Sequence, residues 1–204
     1  GIPDYPTPAS FYFLFFLLNI HFVFLSENSS QLFEIVSHTT AVFPQSFYSI
    51  TRTLKGMDPL EQERTRDAYG RWWVEGKNRA QKFGWGEEAD QQSRFEQLFT
   101  LEKYGITLHT ARILDVGCGD GALYDFLVGR LGTNITYLGI DIQEQAIRQA
   151  REQYGPFFIR DNFTDHKFSG TFDICFASGI FNANVFDTSE RAYRFLFETM
   201  EHML

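Results

Sequence analysis

Two aspartates and three glycines in this chain are spaced so that they can do chemistry together. Asp115 ends a short apolar run, Gly117, Gly119 and Gly121 follow at alternate positions, and Asp141 stands about 20 residues further on. Glycines in such a turn allow a sharp bend and let the backbone approach a ligand closely. A carboxylate at that distance is placed to bind a ribose, because its two oxygens span a vicinal diol. The pattern Gly117-x-Gly119-x-x-Ala122 formally satisfies a dinucleotide-binding fingerprint, a weak match when taken alone. Asp161-Asn162 and Ser178-Gly179 are two further pairs, each at the end of an apolar run.

The surrounding pattern supplies elements to position these residues. Residues 112–116 read as a buried strand, and Ala122, Leu123, Phe126, Leu127 and Leu131 recur at helical spacing behind the glycines. Residues 136–140 make a second strand with Asp141 at its carboxyl end, followed by a helix over 143–154. A third strand over 157–159 closes on Asp161 and Asn162. A fourth, over 172–177, runs into Ser178 and Gly179, and Asp187 caps a last helix. Strands alternating with helices imply a doubly wound parallel α/β sheet, in which ligands sit beyond the carboxyl ends of the strands. All the polar and glycine residues singled out fall at those ends.

Charge narrows the ligand. A pyrophosphate prefers a helix N-terminus free of acids, whereas Asp115 precedes this loop and Asp120 lies within it. Repulsion of roughly a few kcal/mol would oppose a phosphate there. A positively charged nucleoside reverses the sign, and S-adenosylmethionine is one: it carries a sulfonium, an α-ammonium, a ribose and an adenine, and no phosphate.

Residues 113–123, ILDVGCGDGAL, resemble motif I of class I S-adenosylmethionine-dependent methyltransferases, including the acid two residues before the first glycine. Residues 136–154 resemble that family's second strand and helix, 157–163 its third strand end, and 172–182 the fourth strand of a bacterial subgroup. That subgroup also tends to carry a Gly-Trp and an Arg-Phe upstream, here Gly84-Trp85 and Arg94-Phe95. The resemblance covers roughly 80–204 and implies a Rossmann-like fold and S-adenosylmethionine as cofactor. It implies that Gly117, Gly119 and Gly121 admit the cofactor's methionine end, that Asp115 engages the ammonium and that Asp141 takes both ribose hydroxyls. Ile142 would pack on the adenine, Asp161 with Asn162 would satisfy its amine, and Ser178 and Gly179 would line the floor by the transferable methyl. Cys118 is counted with these contacts as part of the loop, although its thiol, like that of Cys175, reads as a small buried hydrophobe. Trp85 reads as a packing aromatic able to cover the cofactor. Arg94 reads as solvent-facing, with a grip on the cofactor's carboxylate as the alternative. Asp141 as a simple helix cap and Asp161 as a merely solvated loop acid are the bland readings of those two.

No residue stands out as a catalytic base, and methyl transfer needs one only when the acceptor is protonated. The fourth strand lacks the Asn/Asp-Pro-Pro-aromatic loop of enzymes that methylate base amines. The formal charge of -8, from 18 basic and 26 acidic residues, also weighs against a nucleic-acid partner. Both point to a small-molecule acceptor. A nicotinamide-dependent oxidoreductase and a non-catalytic methyltransferase-like piece are the competing readings. Two cysteines and five scattered histidines form no metal constellation.

Three regions are expected: an apolar extension over 1–56, a helical cap over 57–110 and a partial cofactor-binding domain over 111–204. The extension holds the run FYFLFFLLNIHFVFL over 11–25, too short to cross a bilayer comfortably and without the basic flank of a secretory signal. It reads as chain upstream of a start at Met57, or as a misread frame, with a membrane anchor as the minor alternative and the cytoplasm as the expected location. Asp58-Pro59-Leu60-Glu61 is a good helix opening. Only four of the family's seven strands are visible, so the chain reads as a fragment whose fourth strand leaves an open sheet edge.

Overall fold

The computed structural model describes residues 21–25, 34–36, 58–75, 78–104, 106–180 and 191. Residues 112 onward alternate as expected: β3 (Arg112–Val116), α3 (Ala122–Leu131), β4 (Thr136–Asp141), α4 (Glu144–Tyr154), β5 (Phe158–Arg160) and β6 (Ile174–Ala177). These four strands pair in parallel in the order β6-β3-β4-β5. The chain moves outward from β3 to β4 to β5, then returns to place β6 on the other side of β3. The order therefore reverses between β3 and β6, and a crevice opens above their carboxyl ends. This is a Rossmann-like arrangement. The foot of β6 is pinned to that of β3, where Arg112 binds Asp173 through Nη2 (2.8 Å) and through its own backbone N–H (2.7 Å).

Two short strands precede this unit, β1 (His21–Leu25) and β2 (Glu34–Val36). β1 pairs antiparallel with β6, with Phe22 opposite Ala177 and Leu25 opposite Ile174, and β2 pairs antiparallel with β1. The expected open edge of the fourth strand is thus corrected. An unpaired row of N–H and C=O groups on β6 meets a partner from the region read as an extension. The helix expected after Asp187 lies outside the described residues.

Between these strands and the parallel unit come α1 (Pro59–Glu75) and α2 (Glu88–Phe95), the latter continuing as a 3₁₀ stretch over Glu96–Tyr104. The helix opening at Asp58 forms a reciprocal capping box: Glu61 N–H donates to Asp58 Oδ1 and Asp58 N–H to Glu61 Oε2, both at 2.9 Å. Arg191 pairs with the same Glu61. α1 runs to Glu75, and 81–83 is a separate 3₁₀ turn. Phe95, Leu98, Leu101 and Leu108 share one core cluster with Ile113, Leu123 and Phe176 on one face of the sheet. Leu114, Val116, Ile140 and Cys175 form the core of the other face. Among the described residues no helix is long and apolar enough to cross a membrane.

Candidate functional site

The site grows out of the turn after β3. Gly117 and Cys118 both donate backbone N–H groups to the Ile140 carbonyl, at 2.8 and 3.2 Å, which folds the loop onto the end of β4. Gly119 then takes φ +55 and donates its N–H to Asp141 Oδ2 at 2.8 Å. A side chain is doubly excluded at Gly119, since a Cβ would stand 2.8 Å from the Phe83 ring. The other Asp141 oxygen accepts the Gln143 N–H at 2.8 Å. The two oxygens thus each accept a backbone donor, and the Ile142 N–H also acts on the carboxylate. Asp141 does not cap α4 in the ordinary way, because the N-cap position is Gln143.

Above this turn lies a cleft open to solvent. Its apolar walls include Tyr69 from α1, Phe83, Trp85, Phe95 and Phe163. Its ionisable lining among the described residues is entirely acidic: Asp115, Asp120, Asp141 and Asp161.

These acids are not equivalent. Asp115 is 3 % exposed and accepts the Tyr137 hydroxyl at 2.5 Å. Burial pushes its carboxyl up to about 7; the Tyr137 bond pulls it back and the Asp141 charge pushes it further. Burial likewise raises Asp141, against the backbone N–H groups it accepts. Asp120 corrects the charge argument drawn from sequence. It is ion-paired, with Oδ2 2.8 Å from Arg79 Nε, so it is not a bare repulsive charge in the loop. The negative sign of the cleft rests on Asp115 and Asp141 instead.

Eleven of the thirteen residues expected to meet a cofactor line this one cleft: Asp115, Gly117, Cys118, Gly119, Asp141, Ile142, Asp161, Asn162, Ser178, Gly179 and Trp85. Gly121 and Arg94 are not among its lining. Gly121 has φ +83, and a Cβ there would meet Phe158 at 2.9 Å and Tyr154 at 3.0 Å, so it turns toward the core and not the ligand. Arg94 is partly buried, not solvent-facing, and its guanidinium lies 4.3 Å from the centroid of the Trp85 ring. Asp161 is not simply solvated: Oδ2 pairs with His166 Nδ1 at 2.7 Å and Oδ1 accepts the Asn162 N–H. The Asn162 side chain is engaged by Asp165 and Thr164. Cys118 and Cys175 are both buried thiols, and burial raises both above the ordinary thiol range.

Among the residues that sequence reading did not assign to the site, four make polar contacts around it. Tyr137 carried a signal, since a phenol facing a strand core must find a partner, and Asp115 is diagonal to it across the β3–β4 register. Tyr69, whose hydroxyl donates to the Gly179 carbonyl at 2.9 Å, Gln143, whose side chain donates to the Arg66 carbonyl at 2.8 Å, and Arg79 carried none. Their partners are 110, 77 and 41 positions away.

Residues 113–201 match a family described as methyltransferase domain. No curated protein matches the chain. Among solved structures, the magnesium protoporphyrin IX methyltransferase of Synechocystis PCC 6803 with bound SAM is 20 % identical, with 73 % of this chain and 74 % of that chain covered and a TM-score of 0.47. The plantazolicin methyltransferase BpumL, in complex with a monoazolic desmethylPZN analogue and SAH, is 22 % identical over 55 % of this chain and 46 % of that chain, with a TM-score of 0.35.

Proposed function

We propose, from the match of residues 113–201 to a family described as methyltransferase domain, that the chain acts as an S-adenosylmethionine-dependent methyltransferase on a small-molecule acceptor. The observation that carries this reading is the Asp141 carboxylate. It is held at the end of β4 by backbone N–H groups on both oxygens, one of them from the glycine loop itself, and it faces the cleft. That donor set fits a ribose diol. Asp115 fits as well: a buried carboxyl raised to about 7 has a strong electrostatic need for a cation, which an α-ammonium meets. A diphosphate finds no Lys, Arg or His along the described lining.

When bound, S-adenosylmethionine supplies a methyl group on a positively charged sulfur. The chain's part is to bind, orient and keep out water. In this reading Asp161 and Ile142 meet the adenine, while Ser178 and Gly179 face the transfer point. Tyr69 ties α1 to Gly179 there, which supports a role for this helix in covering the transfer point. Alignment and exclusion of water together lower the barrier by several kcal/mol without a dedicated base.

Isothermal titration with S-adenosylhomocysteine tests this. Saturable binding is expected, with NADH binding far more weakly. Asp141→Ala removes two charged hydrogen bonds of about 1.5–3 kcal/mol each, and is expected to weaken binding roughly a hundredfold or more. Equal affinity for NADH, or an Asp141→Ala chain that binds as well as the parent, would overturn the reading.

A further inference from the structure

Arg79 lies in the turn after α1 and outside every motif in the sequence. Its guanidinium reaches three elements of the cofactor domain. Nε donates to Asp120 Oδ2 in the glycine loop and Nη1 to Asp125 Oδ2 on α3, both at 2.8 Å. Nη2 reaches the Asp120 carbonyl at 3.4 Å and the Tyr154 hydroxyl on α4 at 3.2 Å. Only a planar fork can make these bonds together; an ammonium is a single point. Four residues later the Phe83 ring lies against Gly119, and Trp85 lines the cleft. The segment 78–85 is therefore a roof on the glycine loop, and Arg79 fastens it.

Asp120 depends on that fastening. It is 1 % exposed, and its Oδ1 has no hydrogen-bond partner. Burial pushes its carboxyl above the usual range, with Arg79 the main counterweight. Deprived of Arg79, it would be a buried charge with neither oxygen satisfied, and the glycine loop would have to shift to bring it to water. Asp141 would keep its other anchor, the Gln143 N–H, through such a shift.

We propose that Arg79 is a positioning residue for the cofactor's methionyl end: through Asp120 it holds the loop 117–121 under the roof 78–85, while the nucleoside end is held independently at Asp141. This rests on the methyltransferase reading above. The test titrates the full chain with S-adenosylhomocysteine and, separately, with adenosine, which lacks the methionyl end. In Arg79→Ala the affinity for S-adenosylhomocysteine is expected to fall about tenfold or more, with that for adenosine changed by less than about twofold. Adding Asp120→Asn to Arg79→Ala should restore much of the loss, because no buried charge remains to be relieved. Asp125→Ala, which spares the bonds to Asp120, should bind both ligands like the parent. If Arg79→Ala does not fold, Arg79→Lys, which keeps the charge and loses the fork, should show the same selective loss to a smaller degree. An unchanged affinity for S-adenosylhomocysteine, or an equal fall for both ligands, overturns the role of Arg79. A parent chain that binds neither ligand overturns the methyltransferase reading itself, so the two failures are distinct.

Discussion

The position of Asp115 is legible in the sequence, two residues before the first glycine, but its charge state is not. Burial and the Tyr137 hydroxyl come from other elements, and together with the Asp141 charge they leave the carboxyl at about 7. Two opposite pH dependences follow. In the empty chain Asp115 is largely protonated below about pH 7, and a ligand bearing an ammonium must displace that proton. Affinity for S-adenosylhomocysteine should therefore rise from about pH 5.5 to 8 and then level, by up to roughly tenfold per pH unit below the midpoint. The empty chain's own stability runs the other way. A carboxyl raised on folding contributes stability that is complete below about pH 4, its unfolded value, and lost as the pH passes through about 7. Tyr137→Phe removes the bond that holds the value down, so the binding midpoint should move to higher pH. Titration calorimetry across this range, with thermal melts of the empty chain, reads both. A flat affinity profile would show that Asp115 takes no part in binding the ammonium. Arg79 illustrates the opposite case to Asp115: nothing in its local sequence marks it, because its meaning lies in a carboxylate 41 residues away.

At the scale of elements, β3, α3 and β4 stand close to where apolar periodicity and the glycine turn put them, and the differences fall at element ends. β5 begins one residue later than read, at Phe158, although the Phe157 carbonyl already accepts the Gly139 N–H of β4. β6 begins at Ile174 and not 172, although the Asp173 N–H already donates to the Arg112 carbonyl of β3. Packing also separates two glycines that look alike in the sequence. Gly139 lies inside β4, and a Cβ there would stand 2.7 Å from Phe158 and 2.8 Å from Cys118 Sγ. Gly129 lies inside α3 with nothing within 4 Å of its Cβ position. Gly139→Ala should therefore destabilise by about 1–3 kcal/mol through overpacking. Gly129→Ala should stabilise by about 0.5–1 kcal/mol through helix propensity and a stiffer unfolded chain. Chemical denaturation of the two variants measures both signs, and a stabilised Gly139→Ala would mean that β4, Cys118 and Phe158 are not packed as described.

At the scale of the whole molecule, the least legible feature is the use made of the region before Met57. Its bulk composition suggests dispensable chain, because an apolar run too short for a membrane has no obvious place in a soluble unit. A strand needs few residues, however, and needs only a free edge to pair with. β6 offers one: its four residues are all buried, β3 occupies one side, and β1 lies along the other in antiparallel register over four residue pairs. Backbone pairing of this kind depends on hydrogen-bonding groups and not on side-chain motifs, so nothing in 21–25 announces it. The cleft, by contrast, has a described lining that runs from Thr65 onward. Removing residues 1–56 should separate the two. The shortened chain is expected to expose the β6 edge and to self-associate, seen as a concentration-dependent mass in light scattering, with a lowered thermal midpoint. Its monomeric fraction should still bind S-adenosylhomocysteine with an affinity close to that of the full chain. A shortened chain that stays monomeric and melts like the parent would show that β1 does not protect this edge. One that stays monomeric yet loses the ligand would place part of the site in the first 56 residues.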